Sequence, residues 1–289
     1  MGHGIAYLFA AAGHDVRVQD PVAPAREALP ARLNEIRAML RGDPALLNRV
    51  TAYADLGAAV DGAVVVIEAA PEKLELKRAL FAELDRLAPA DAILASNTSV
   101  IPIGKISTAV RDKSRVLGAH FWNPPHLVPL VEVVTMGPEN RPAADRLIAL
   151  LTEAGRHPVL VNRDIPGFIG NRLQHALKRE AIALVAAGVC DAETLDDVVK
   201  LGFGARLAVL GPLEQSDMVG LDLTKAIHDT VIPDLDVTPH THPYLEKLVA
   251  EGALGMKSGR GFRTWTPEAA EAVRDRLRRF LADSASRKT

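Results

Sequence analysis

MGHGIAYLFAAAGHDVRVQD, residues 1–20, opens the chain, and its reading decides the fold. Apolar residues and Ala run at helical spacing from Gly4 to Ala12, Gly13 stops the run, and Val16-Arg17-Val18-Gln19-Asp20 reads as a strand ending in an acid. A helix that leads into such a strand reads either as an ordinary Ala-rich helix capped by Gly13 or as the second half of a dinucleotide-binding βαβ unit. In that unit the pyrophosphate sits on the helix N-terminus and the acid binds the ribose hydroxyls. Asp20 lies 18 residues after Gly2, close to the ~20 expected if Gly2 is the third glycine of G-x-G-x-x-G. An acid at that place favours NAD over NADP, because it repels a 2′-phosphate.

Beyond Asp20, Arg26 to Arg49 reads as a helical arm rich in Ala, Leu and Arg, broken at Gly42-Asp43-Pro44. Short apolar runs then recur, each followed by a polar or helical segment. Ala63 to Glu68, Ala92 to Ser96, Val116 to Phe121, Val128 to Val134 and Pro158 to Val161 read as buried strands, with helices at Glu72 to Leu87 and Ala143 to Ala154. This alternation predicts a mainly parallel sheet with helices on both faces. After Pro166-Gly167 the pattern is helical throughout: Phe168 to Ala187, Thr194 to Leu201, Leu213 to Val231, Tyr244 to Glu251 and Pro267 to Ala282. The fold expected is an α/β domain over residues 1–163 followed by an all-α domain over 164–289.

The 289 residues are 48% hydrophobic and 24% charged, enough to bury one large core or two smaller ones. A formal net charge of −2 leaves no electrostatic footprint for nucleic acid. The single Cys190 excludes an intrachain disulfide. Neither a charged-then-apolar leader nor an apolar run long enough to span a bilayer is evident, so no membrane partner and a cytoplasmic location are expected. His240-Thr241-His242-Pro243 offers two histidines without further ligands, and no metal is expected.

Met1 to Ala6 resembles the end of the glycine loop of the L-3-hydroxyacyl-CoA dehydrogenase family, in the branch of 3-hydroxybutyryl-CoA dehydrogenase and L-gulonate dehydrogenase (lambda-crystallin). Further similar segments follow in family order and cover essentially the whole chain. They are Ala95-Ser96-Asn97-Thr98-Ser99, Gly118 to Pro124, Leu130-Val131-Glu132-Val133, Pro166 to Arg172 and Gly255 to Phe262. The resemblance implies a Rossmann-type NAD-binding domain, a helical substrate and dimerisation domain, a homodimer and a place in fatty acid metabolism. It also implies that the first strand and two glycines precede Met1, so that the natural chain carries roughly 15–20 further residues, one short strand plus a glycine turn.

Oxidation of a secondary alcohol by NAD needs a base for the hydroxyl proton and donors for the oxygen as it becomes a carbonyl. His120 follows an apolar strand and precedes Asn123-Pro124, at the strand end where open α/β sheets place ligands. Glu132 is an acid inside an otherwise apolar strand, and leaving it unpaired is costly. A His120–Glu132 hydrogen bond answers that cost, orients the imidazole and stabilises its charged form. In the family these two residues are the catalytic dyad. Matching adds Ser99 and Asn171 as partners of the substrate oxygen, in a cleft between the domains. Besides Gly2 and Asp20, it adds Glu72 and Lys77 on the ribose side of NAD, and Asn123 and Lys257 on the nicotinamide side.

Two departures bear on the substrate. Family members that use CoA hold it partly through Lys and Ser of the helical arm, and residues 21–61 here contain neither, offering Arg26, Arg32, Arg37, Arg41 and Arg49 instead. Asn123 to Leu130 also looks more like relatives acting on small free hydroxy acids or on a pyridine-ring alcohol. The expected activity is oxidation of a 3-hydroxyacyl group, CoA-linked or free. A distinct alcohol substrate and an inactive nucleotide-binding homologue stand as alternatives; His120, Glu132, Ser99 and Asn171 together argue against the last.

Overall fold

The computed structural model describes residues 1–286. Its elements run α1 (Gly2–Ala11), β1 (Val16–Gln19), α2 (Ala23–Glu27), α3 (Leu29–Leu40), β2 (Val50–Tyr53), α4 (Leu56–Val60), β3 (Val65–Glu68), α5 (Leu74–Leu87), β4 (Ile93–Ser96), α6 (Ile103–Ile106), β5 (Val116–Phe121), β6 (Leu130–Val134), α7 (Arg141–Glu153) and β7 (His157–Val161). The chain then continues through α8 (Gly170–Ala186), α9 (Ala192–Leu201), α10 (Pro212–Val219), α11 (Leu221–Val231), α12 (Pro243–Ala250) and α13 (Pro267–Ser286).

Gly13 ends α1 as its position suggests: it takes φ +92°, a backbone conformation that only glycine adopts without strain. The His14 N–H then closes back on the Phe9 carbonyl at 3.0 Å. Residues 4–10 of α1 are all buried, so this helix is enclosed rather than amphipathic. In α5 the buried residues are Lys77, Phe81, Leu84 and Asp85, the i, i+4, i+7, i+8 stripe of a helix laid on a sheet. The acid on that stripe is paired: Asp85 accepts from Arg111 Nε at 2.7 Å and from Arg115 Nη2 at 2.8 Å.

A five-stranded sheet in the order β3-β4-β5-β6-β7 forms the centre, and β1-β2 make a separate parallel pair. Adjacent residues on a strand face opposite sides, which sorts the core into two layers. Ile93 and Ala95 of β4 and Leu117 and Ala119 of β5 pack with Ile5, Leu8 and Phe9 of α1 and Leu147 and Leu151 of α7. Leu94 and Val116 pack on the opposite face with Phe81 and Leu84 of α5 and Ile103 and Ile106 of α6.

The sheet is mainly parallel as expected, with three features that the sequence pattern does not mark. The short strand β2 and helix α4 fall in what reads as arm and loop, and β2 is what β1 pairs with, Val16 opposite Val50. The β1-β2 ribbon does not join the main sheet. Finally, β5 and β6 are antiparallel, because residues 122–129 between them are too few for the crossover that parallel neighbours require.

Among the described residues, one compact unit comprises residues 1–172 together with 278–286, and a second comprises residues 173–277. Residues 164–170 are tied to the first unit: the Asp164 carboxylate accepts from the Ile103 and Gly104 N–H groups of α6, and Ile169 and Gly170 donate to Glu132 of β6. The second unit is helical and buries little, only Ala253 and Ala270 of its apolar residues being fully enclosed. Among the described residues no helix is long and apolar enough to cross a membrane.

Candidate active site

The antiparallel register of β5 and β6 sets His120 directly opposite Glu132. The two side chains meet at 2.8 Å, His120 Nδ1 to Glu132 Oε2, and both residues are enclosed, at 4% and 1% exposure. The second carboxylate oxygen accepts the backbone N–H groups of Ile169 at 2.9 Å and Gly170 at 3.0 Å. Burial by itself pushes the Glu132 pKa up; the hydrogen bonds from His120, Gly170 and Ile169 outweigh it and hold the carboxyl below its ordinary value. An ionised Glu132 can only accept, so Nδ1 carries a proton and Nε2 is the nitrogen left to exchange one.

The residues that serve Glu132 come from an unusual turn. Gly167 and Phe168 both take positive φ, +75° and +49°, and Phe168 is a bulky residue in a region such residues avoid. Full burial holds Phe168 there, with its ring 5.9 Å from that of His120. This turn aims the next two N–H groups at the carboxylate. On its other side the imidazole meets the Trp122 ring at 5.5 Å. Trp122 in turn lies against Gly170, where an added Cβ would stand 2.3 Å from the indole. Gly170→Ala is therefore expected to destabilise the protein by about 1–3 kcal/mol, the usual cost of overpacking. A thermal melt measures it, and a Tm equal to that of the wild type would show that Trp122 is not locked there.

A hollow of about 260 Å³ lies beside the imidazole, lined among others by Asn97, Ser99, Trp122, Asn123 and Asn171. Ser99 follows β4, and its carbonyl accepts from Asn171 Nδ2 at 2.9 Å. The structure therefore brings His120, Glu132, Ser99, Asn171 and Asn123 to one place.

The other expected contacts are distributed differently. Lys77 is fully enclosed; its ammonium bonds Glu68 at 2.7 and 3.0 Å and the Ala70 carbonyl at 3.3 Å, and lies 3.4 Å from Glu72. Lys257 stands in the other unit, exposed in a turn whose ends Gly255 and Arg260 bridge.

The chain fits a dinucleotide. The N-terminus of α1 has no side-chain cap and no acid in its first turn, which leaves backbone N–H groups and the positive end of the helix dipole for a phosphate. Gly2 brings that end to the residues just after β3, where an added Cβ would lie 4.0 Å from the Cβ of Ala69. Asp20 follows β1 with Oδ1 accepting from the Val22 N–H, and its other oxygen can accept a hydroxyl.

Sequence reasoning left out three residues that shape the site. Asn97 Oδ1 accepts from the Phe121 N–H and ties β4 to the end of β5. Thr98 and Glu68 are buried members of the network around Lys77 and Glu72. The signal for Glu68 was present: it is an acid closing an apolar strand, the feature that pointed to Glu132.

Residues 1–165 match the family described as 3-hydroxyacyl-CoA dehydrogenase, NAD binding domain, and residues 167–265 match its C-terminal domain. The chain is 36% identical over 289 residues to 5-formyl-3-hydroxy-2-methylpyridine 4-carboxylate 5-dehydrogenase of Mesorhizobium japonicum, covering 98% of this chain and 93% of the relative. The crystal structure of a 5-formyl-3-hydroxy-2-methylpyridine 4-carboxylic acid 5-dehydrogenase, called an NAD+ dependent dismutase, superimposes with a TM-score of 0.90 at 34% identity, over 98% of this chain and 94% of that one. The (S)-3-hydroxybutyryl-CoA dehydrogenase of Ralstonia eutropha gives a TM-score of 0.74 at 29% identity, over 92% and 95%. By sequence motifs, domain order and fold, this chain belongs to the 3-hydroxyacyl-CoA dehydrogenase family, and it is an oxidoreductase whose cofactor is NAD.

Proposed function

We propose that the protein is a dehydrogenase in which His120, oriented by Glu132, removes the hydroxyl proton of an alcohol in the hollow beside it. The observation that supports this most is the buried 2.8 Å contact between Nδ1 and an ionised carboxylate, which leaves Nε2 as the free base. As the O–H proton passes to Nε2, Glu132 stabilises the imidazolium, and Ser99 and Asn171 steady the substrate oxygen as it becomes a carbonyl. NAD, when bound, accepts the hydride from the carbinol carbon. The balance is alcohol plus NAD+ giving carbonyl, NADH and a proton.

For the substrate, the reading favoured is a small free carboxylated ring alcohol or its aldehyde rather than a CoA thioester. The arm that would meet CoA has no Lys or Ser, and three of its five arginines are engaged within the chain. Arg26 bonds the Asp20 carbonyl, Arg37 bonds Asn34 and Arg49 bonds Asp15. The higher TM-score to the pyridine dehydrogenase agrees. With an aldehyde, the hydrate carries the same H–C–O–H unit, so its oxidation to an acid and the reduction of a second aldehyde by the NADH formed are one chemistry run in both directions. Oxidation of a 3-hydroxyacyl-CoA, which the family motifs also support, is the competing reading.

A panel assay of NADH formation decides between them. The hydroxymethyl and formyl forms of the pyridine 4-carboxylate are expected to exceed 3-hydroxybutyryl-CoA in kcat/KM by on the order of 10²-fold, the discrimination that a few specific contacts supply. A preference for the CoA ester would return the substrate to the acyl class.

Dimer formation is proposed on the apolar surface of residues 173–277. Leu201, Val209 and Leu213 are each 80% or more exposed, and a helical unit with so little enclosed apolar surface gains its burial from a second copy. Light scattering is expected to give twice the 31.0 kDa chain mass; the single-chain mass would exclude the dimer.

A further inference from the structure

The structure assigns Glu72 to the reaction as a positioning residue that acts through Ser99, an inference that rests on the site proposed above. Glu72 stands in the connection between β3 and α5. Its Oε1 accepts three donors from one turn: the Thr98 hydroxyl, the Ser99 N–H at 3.0 Å and the Val100 N–H at 3.2 Å. Its Oε2 faces the Lys77 ammonium at 3.4 Å.

Behind Glu72 the network is closed. Lys77 bonds both oxygens of Glu68, and Glu68 accepts from the Ser96 hydroxyl at 2.6 Å and the Ala70 N–H at 2.6 Å. Glu68, Lys77, Ser96 and Thr98 are all buried. An enclosed lysine shared between two carboxylates makes sense only if each carboxylate is needed where it is, because burying charges costs more than their pairing returns unless the remaining groups are bonded. Glu68 anchors the ends of β3 and β4. Glu72 is the outward end of the chain, with its side chain 37% exposed.

What Glu72 fixes is the Ser99 peptide. The Ser99 N–H goes to Glu72, and the Ser99 carbonyl takes the Asn171 amide at 2.9 Å. With both peptide groups held from opposite sides, Ser99 lines the hollow next to His120. A donor serves a developing carbonyl only if its position is set beforehand, since a displacement of about 1 Å can cost on the order of 10²-fold in rate. Glu72 thus sets Ser99, and Lys77 sets Glu72. This role stands beside the ribose contact that the family resemblance implies for these two residues.

A double-mutant cycle on the NAD-loaded enzyme, using the best substrate of the panel, tests the assignment. Ser99→Ala is expected to lower kcat at saturating NAD, and Glu72→Ala to lower it by about 10-fold to 10²-fold, over and above any change in the Kd for NADH, which fluorescence titration reads separately. In the Ser99→Ala background, Glu72→Ala is expected to cost nothing more. Additive losses, a wild-type kcat for either single variant, or an effect of Glu72→Ala confined to NADH binding would each overturn the proposal. Should Glu72→Ala not fold, Glu72→Gln, which keeps one acceptor oxygen, replaces it with the same readouts and a smaller kcat loss. Because His120 is intact in every variant, failure of this cycle leaves the dyad standing, whereas failure of the dyad shows first in His120→Ala.

Discussion

His120→Ala is expected to lower kcat by about 10²–10⁴-fold and to leave the affinity for NAD unchanged. The magnitude is that of removing a positioned general base. The second half of the expectation follows from placement. Met1 at the start of α1 lines the same hollow as His120, but the imidazole bonds Glu132, and the groups that fit the dinucleotide's phosphate and ribose, the α1 N–H groups and Asp20, lie outside that pair. Steady-state kinetics with a separate NADH titration check both halves, and wild-type turnover would remove His120 from the mechanism.

Glu132→Gln is expected to lower kcat within the same range of about 10²–10⁴-fold, and unlike His120→Ala to reduce stability as well, by about 1–3 kcal/mol. Glu132 serves three donors with two oxygens: His120 on one, Ile169 and Gly170 on the other. A glutamine has one acceptor oxygen. If that oxygen keeps the two backbone N–H groups, the amide faces His120 and forces the wrong tautomer, with Nε2 protonated. If it turns to His120, two backbone donors lose their partner beside the strained Gly167-Phe168 turn. The loss of stability has a pH signature. The folded pKa of Glu132 is held below the ordinary carboxylate value, so its stabilisation is present above about pH 4.3 and is lost as pH falls through the folded pKa. Melts of the wild type against pH are therefore expected to decline on the acid side, and the variant to lack that part of the decline.

Much of this site is legible in the amino-acid sequence. The acid closing Val16 to Asp20 and the acid inside Leu130 to Val133 both stand where an apolar pattern has no use for a charge, and each has a partner or a role. The strands are legible for the same reason: β4 and β5 read as continuous apolar runs because both of their faces are covered. What is not legible is pairing. The ribbon partner β2 is Val-Thr-Ala-Tyr, four residues of mixed polarity behind a helical arm, and no local period marks it. The antiparallel turn between β5 and β6 is readable only from the shortness of residues 122–129, a constraint on topology that residue pattern alone does not express.

Lys77 shows the opposite failure. Its spacing within α5 puts it on the same stripe as Phe81 and Leu84, so the helix period itself places a lysine in the core. Such a placement calls for carboxylates behind the helix, and Glu68 and Glu72 supply them. Following the stripe leads to the network and with it to the role of the 98–100 turn.

The most direct test of the whole account is a crystal structure of the protein with NADH and the carbonyl product, or an unreactive analogue, in the hollow. The carbonyl oxygen is expected at about 2.6–3.2 Å from His120 Nε2, with Nδ1 still on Glu132. A product oxygen held elsewhere, with Nε2 facing protein or solvent alone, would contradict it.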